Sequence, residues 1–199
     1  MPSPAEIVAA VHTNGFAIWR GLVPVPVVNT ILGPMVQHMD IPQSYASIKY
    51  RVLKLGIMPE AQRLSCIVPE VSGVFTAALG PHDVTIQEIY LAPPGFFKPH
   101  PWHQDEYDGL QPYHFMVWIA VTPCGVDAPG LSFAKGNPRR FLGDPDEAER
   151  AAYERETISP VMAPGDAIFF DSFSLHKTNI TPEMKLGRVA YKLGAKCAN

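Results

Sequence analysis

Cysteine is scarce, with only Cys66, Cys124 and Cys197 in 199 residues. Three widely spaced thiols with no CxxC pair exclude a disulfide framework or a cysteine–zinc cluster as the basis of the fold. Long apolar runs are missing as well. Nowhere do about 18 consecutive apolar residues occur, the length a membrane-spanning helix needs. The opening Met-Pro-Ser-Pro-Ala-Glu has neither the basic segment nor the apolar run of a secretory signal. The default placement is therefore cytoplasmic, with no membrane partner. Charge of one sign is also lacking. A formal net charge of -3 offers no electrostatic reason to expect nucleic acid or an anionic lipid surface.

What is present is the balance of a globular protein: 47% hydrophobic and 18% charged residues. The length suits a single domain spanning residues 1–199, large enough to bury its own core. Fifteen glycines and 21 prolines point to many short elements and turns, and so to β-rich architecture over a helical bundle. Residues 1 to about 80 read as a mostly helical flank. Ser3-Pro4-Ala5-Glu6 combines an N-cap, a proline at the first helical position and a capping-box glutamate, and Gly15 is a helix stop. Phe16 to Trp19 reads as a strand, about Pro26 to Met39 as a second helix, and Val71 to Leu79 as a short helix. From about 84 to 194 the pattern turns to strands: Val84–Leu91, the continuously apolar Phe115–Val121, Leu131–Ala134, Ile158–Met162, Ala167–Asp171 and Arg188–Leu193. The charged stretch Asp144–Arg155 reads as a solvated helix between them.

The chemistry centres on Pro101-Trp102-His103-Gln104-Asp105. In extended backbone, side chains alternate faces, so His103 and Asp105 point to the same side. An imidazole and a carboxylate presented together are two adjacent ligands for a divalent metal. One more imidazole makes the facial set, with open positions, used by non-haem iron oxygenases. His176, which follows the apolar run Ala167–Phe170, is the leading candidate. A lone HxD is weak evidence, however, and His82, His100 and His114 also lie nearby in sequence.

From Ile7 to Lys192 the chain resembles the phytanoyl-CoA dioxygenase family, which includes ectoine hydroxylase. The resemblance rests on an ordered series: Asn14-Gly15-Phe16-Ala17-Ile18 after a helix, Trp102-His103-Gln104-Asp105, Trp118-Ile119-Ala120-Val121 followed by Gly130-Leu131, and Gly165-Asp166 before the strand leading to a distal histidine, His176. It implies a double-stranded β-helix (jelly-roll, cupin-like) core with flanking helices. It also implies iron(II) held by His103, Asp105 and His176, with 2-oxoglutarate and O2 as cosubstrates. The far carboxylate of 2-oxoglutarate needs a forked cation, which arginine supplies. Arg188 stands in the family's position for that residue, Thr178 in that of a hydroxyl two residues after the distal histidine, and Gln87 in that of a polar residue near the cosubstrate. Tyr107, Trp118 and Arg139 are candidate substrate contacts.

The reaction so implied is oxidation of an unactivated C–H bond of a small molecule, with release of succinate and CO2. Asp105 favours hydroxylation or a related oxidation, because halogenating relatives replace this carboxylate with a small residue. One departure is Lys135-Gly136-Asn137-Pro138, where relatives carry a Pro-Gly-Ser-His turn. The chain is also shorter than many relatives, which implies trimmed lids and leaves room for a homo-oligomer to complete the pocket. Two other classes stay open: a metal-dependent jelly-roll isomerase or hydrolase that does not use 2-oxoglutarate, and a catalytically silent binding module.

Overall fold

A computed structural model describes residues 1–29, 69–92, 99–105, 114–142 and 146–198. Helix α1 (Pro4–Asn14) begins as its sequence dictates: the Ser3 hydroxyl accepts from the Glu6 N–H, and the Glu6 carboxylate reaches back to the Ser3 N–H at 2.7 Å. It stops at Gly15, whose φ is +87° and where a Cβ would lie 2.5 Å from the Gly136 carbonyl oxygen. Glycine is required there twice over, by backbone conformation and by close approach. Strand β1 (Phe16–Trp19) follows, and residues 25–29 are helical. The rest of the expected second helix lies outside the described residues. Helix α2 (Pro69–Leu79) precedes β2 (His82–Ala92), β3 (His114–Ala120) and β4 (Gly130–Ala134). Helix α3 (Glu147–Arg155), capped by Asp146, then leads to β5 (Thr157–Ile158), β6 (Ala167–Asp171), β7 (His176–Asn179) and β8 (Arg188–Cys197).

The strands form two antiparallel sheets, one ordered β1-β6-β3-β8-β2 and the other β5-β4-β7. The uninterrupted apolar run of β3 is explained by cover on both faces. Phe115, Val117 and Ile119 pack with Phe169, Tyr191 and Leu193 against Ile7, Val11, Val74 and Phe75 of α1 and α2. Met116, Trp118 and Ala120 face the other way and pack with Ile168, Phe170 and Ala190 against Phe133 of the smaller sheet. This two-sheet, jelly-roll core with helices on its outer face is the β-rich architecture expected from the sequence.

Two strand expectations need correction. Ile158–Met162 is not one strand: β5 ends at Ile158, and Met162 forms only an isolated bridge to Cys124. Pro160 lies between them and has no N–H to give a ladder. Strand β8 runs on past Leu193 to Cys197 because β2 pairs with it along that length, from Ala92↔Arg188 to His82↔Cys197.

Gly165-Asp166, read from sequence as the turn into β6, is a hub. The Asp166 carboxylate accepts from the N–H groups of Gly21 (2.8 Å) and Ala163 (2.9 Å) and pairs with Arg20 at 2.6 Å. Burial pushes this carboxyl upward, but the bonds from Ala163, Arg20 and Gly21 outweigh it and hold it below the usual carboxylate range. A lowered folded-state value means that the stabilisation is present above the unfolded value, near pH 4, and is lost as pH falls through the folded one. Asp166→Asn is therefore expected to lower stability at pH 7 by about 2 kcal/mol, since bonds to a charged acceptor are the stronger kind. Urea unfolding at pH 7 and at pH 3 checks this: the gap between variant and parent should shrink at the lower pH.

Candidate metal centre

His103 does not sit within a long strand. It forms an isolated antiparallel bridge with His176, the His103 N–H donating to the His176 carbonyl at 2.9 Å and the reverse bond at 3.0 Å. This backbone pairing sets the two imidazoles side by side, ring centroids 4.2 Å apart. His176 is delivered by a tight turn after β6. The Asp171 carboxylate accepts from the Phe173 N–H (3.0 Å) and the Ser174 hydroxyl (2.9 Å), while the Asp171 N–H donates to the Ser174 oxygen at 3.0 Å. Asn137, in the divergent turn, closes the same corner. Its side-chain amide donates to the Asp171 carboxylate at 2.9 Å and to the Val11 carbonyl at 3.2 Å, tying the turn to the end of α1. Neither Asp171 nor Asn137 was singled out as a site-shaping residue from sequence: the bonds of Asp171 to Phe173 and Ser174 are local, but Asn137 braces that turn from 34 positions upstream, and only the fold shows that the turn delivers His176 to the site.

The two imidazoles are held in the same tautomer. Nδ1 of His103 lies 2.8 Å from the Pro101 carbonyl oxygen and Nδ1 of His176 lies 2.9 Å from that of Ser174. A carbonyl only accepts, so in both rings Nδ1 carries the proton and Nε2 keeps its lone pair. Both Nε2 atoms face one oxygen of Asp105: Oδ1 lies 3.7 Å from that of His103 and 4.0 Å from that of His176. One ligand atom from each of the three residues falls within a span of 4.8 Å. Burial, with the neighbouring His176 and His100, pushes His103 down to about 3, and burial likewise lowers His176. Burial would raise the Asp105 carboxyl, yet Lys192, His176 and His103 hold it well below the usual range. Two neutral imidazoles and one carboxylate in this arrangement suit a divalent first-row metal with positions left open. The His103 Nδ1 is also 2.9 Å from that of His100, so the outer side of this ring is doubly engaged.

The other motif residues anchor the segment. Gln104 accepts from the Leu142 N–H at 2.8 Å and donates to the carbonyls of Arg140 (2.9 Å) and Phe173 (2.7 Å). Trp102 is buried, and its indole donates to Glu154 of α3 at 2.9 Å. Lys192 is a feature that motif reading missed. It is a buried lysine whose ammonium pairs with Oδ2 of Asp105 and lies 5.5 Å from the Phe170 ring centre. Alternation along β8 could have flagged it: Arg188, Ala190 and Lys192 share a face, and a charge on a face packed with Met116 and Phe170 has to have a reason.

Arg188 is buried, donates to the Gly130 carbonyl of β4 at 3.2 Å and lies over the Trp118 ring at 5.5 Å. It thus reaches from one sheet to the other. Trp118 is buried beneath it, as a core residue and a platform. Thr178 on β7 accepts from the His100 N–H at 3.0 Å and is partly exposed. Gln87 lies on β2 with its backbone opposite Leu193, and its side chain is outside the described residues. Tyr107 is outside them too. Arg139 is exposed, with φ +52° and its N–H on the Asn137 side chain, so the structure leaves it at the surface. Of the cysteines, Cys124 is buried and Cys197 exposed, both free. Among the described residues, no helix is long and apolar enough to cross a membrane.

Comparisons with known proteins agree with this architecture. No significant match exists among curated sequences. Solved structures with the same fold include the alpha-ketoglutarate-dependent carbocyclase SnoK from nogalamycin biosynthesis (TM-score 0.73, 17% identity, 100% of this chain and 88% of that one). Another is EvdO2 from Micromonospora carbonacea var. aurantiaca complexed with 2-oxoglutarate (TM-score 0.70, 18% identity, 96% and 90%). EctD from S. alaskensis, with 2-oxoglutarate and 5-hydroxyectoine, is a third (TM-score 0.74, 17% identity, 98% and 77%). The sequence matches the family model for phytanoyl-CoA dioxygenase over residues 37–184, which takes in all three of the clustered residues. The chain thus belongs to the phytanoyl-CoA dioxygenase family, non-haem iron enzymes that use 2-oxoglutarate as cosubstrate.

Proposed function

We propose that the protein oxidises an unactivated C–H bond of a small metabolite or natural-product intermediate, with iron(II) held by His103, Asp105 and His176. The observation that carries this reading is the cluster itself: two Nε2 lone pairs and one carboxylate oxygen converge within 4.8 Å. When bound, iron(II) would let O2 act as the oxidant of two molecules together: 2-oxoglutarate gives up two electrons and becomes succinate and CO2, and the remaining two oxidising equivalents go to the substrate C–H bond. The protein's own residues bind and orient. Arg188 presents a forked cation to the far carboxylate of 2-oxoglutarate. The buried Trp118 ring holds its guanidinium in place, and the Thr178 hydroxyl, which accepts from the His100 N–H, keeps its own proton to donate to the cosubstrate. Phe133 and Phe170 pack at 5.7 and 5.0 Å from the His176 ring and keep water off that side of the centre.

Hydroxylation is the outcome that Asp105 favours, since the carboxylate occupies the place a halide would need. A second outcome has a specific observation behind it: one structural relative is a carbocyclase. The test is an anaerobic titration of the iron(II)-loaded protein with 2-oxoglutarate, followed in the visible. A chelate charge-transfer band is expected, saturating at one cosubstrate per chain. No band despite bound metal would refute the cosubstrate site. A succinate-release screen of candidate small molecules, repeated under ¹⁸O₂, then separates hydroxylation, in which label enters the product, from cyclisation, in which it does not.

A further inference from the structure

A buried lysine is costly unless its charge is matched, and even a good buried pair rarely outperforms apolar packing. Lys192 is 4% exposed on a face that it shares with Arg188 and that is otherwise packed with the apolar Met116, Trp118, Phe170 and Ala190. Stability alone would favour another apolar side chain there. Its ammonium instead meets Asp105, and it does so at one particular atom. Oδ1 of Asp105 faces the Nε2 atoms of His103 and His176, whereas Oδ2 is taken by Lys192. The two oxygens of one carboxylate are divided between two tasks.

We propose that Lys192 is a positioning residue that restricts Asp105 to one-oxygen metal ligation, keeping open the positions that 2-oxoglutarate requires. Carboxylates bind divalent metals through one oxygen or through both. An Oδ2 held by an ammonium is not free to swing onto the metal. A chelating carboxylate would occupy a position that the two-oxygen cosubstrate needs. The same ammonium withdraws charge from the ligand and stands close to a cation, so it weakens metal binding while favouring a dianionic cosubstrate. Lys192 and Arg188 lie on one face of β8, four residues or about 13 Å apart along the strand. Arg188 suits the far end of the cosubstrate, and Lys192 sets the ligand geometry at the metal end. This inference rests on the ligand assignment made under Proposed function.

The opposite signs of the two effects make the test specific. Lys192→Met replaces the ammonium with an apolar chain of similar length. Calorimetric titration with Mn(II), without cosubstrate, is expected to show metal affinity rising about tenfold, in the range over which outer-sphere partners act. The 2-oxoglutarate concentration needed to half-saturate the charge-transfer band of the anaerobic iron(II) protein should rise by about the same factor, with the band maximum displaced. Lys192→Arg should return both quantities toward those of the parent. General damage to the site would weaken both, and that result, or no change in either, overturns the proposal. If the methionine variant does not fold, Lys192→Gln carries the metal arm, and Mn(II) binding no tighter than the parent's refutes it. A parent protein that binds metal but forms no band would refute the cosubstrate reading itself. A parent band with an identical Lys192→Met band refutes only the role of Lys192.

Discussion

Asp105→Asn is expected to abolish cosubstrate turnover and, in the metal-free protein, to lower stability sharply. Both follow from one atom pair. The carboxylate supplies the anionic ligand of the cluster, and even outer-sphere partners of metal sites cost about 10–100-fold when removed. Loss of a ligand should cost at least about a hundredfold in succinate formation. Asp105 is also the partner of Lys192, their side chains 10% and 5% exposed. Removing one member of a buried pair leaves the other uncompensated, typically at about 3 kcal/mol or more. For a chain of this size that corresponds to a Tm lower by roughly 6–12 °C. Adding Lys192→Met to Asp105→Asn should recover most of the lost stability and none of the activity, because the double variant buries no unpaired charge and still lacks a ligand. Scanning calorimetry and the succinate assay read the two effects separately. An unchanged Tm in the single variant would show that the pair is not held in solution, and unchanged turnover would remove Asp105 from the metal centre.

Arg188→Ala should raise the 2-oxoglutarate requirement by roughly 30-fold or more while leaving metal affinity close to that of the parent. The magnitude reflects truncation of one partner of a buried, charge-assisted pair, which costs about 2 kcal/mol or more. The guanidinium is held in advance by the Gly130 carbonyl at 3.2 Å and by the Trp118 ring, so little ordering remains to be done on binding. Arg188→Lys keeps the charge but loses the fork and should fall between the two. Steady-state kinetics in 2-oxoglutarate, paired with Mn(II) calorimetry, check this. An unchanged KM would move the far-carboxylate site away from Arg188. Equal loss of metal and cosubstrate binding would mean that Arg188 holds the sandwich together rather than the ligand.

Local signals were legible where local physics decides structure. The capping box at Ser3 and Glu6, the glycine stop at Gly15, the apolar run of β3 and the solvated helix before β5 are set by neighbours a few residues away. Ile158–Met162 was misread because β-propensity outweighed the proline in its middle, and the pairing that decides such a segment comes from Cys124, more than thirty positions upstream. Similarly, β8 extends to Cys197 because of β2, which its own composition does not announce. For the candidate site, the motif in sequence pointed to His103, Asp105 and His176, and the fold brings these three together. Arg139 was also a candidate and stays at the surface, held in a left-handed turn by Asn137.

The metal motif that organises this protein is therefore a fact of two kinds. Sequence by itself determined which residue types are available, that His103 and Asp105 lie two apart, and that Arg188 follows His176 at a family-like spacing. Those are properties of adjacent or ordered residues. Only tertiary structure decided that His103 pairs through its backbone with His176, that the Nε2 atoms of both rings face one oxygen of Asp105, and that the other oxygen belongs to Lys192. The physical reason is that bridge and oxygen partner are fixed by bonds between groups whose separation along the chain carries no trace of their contact, whereas only the tautomer is local, set by a carbonyl two residues before each ring.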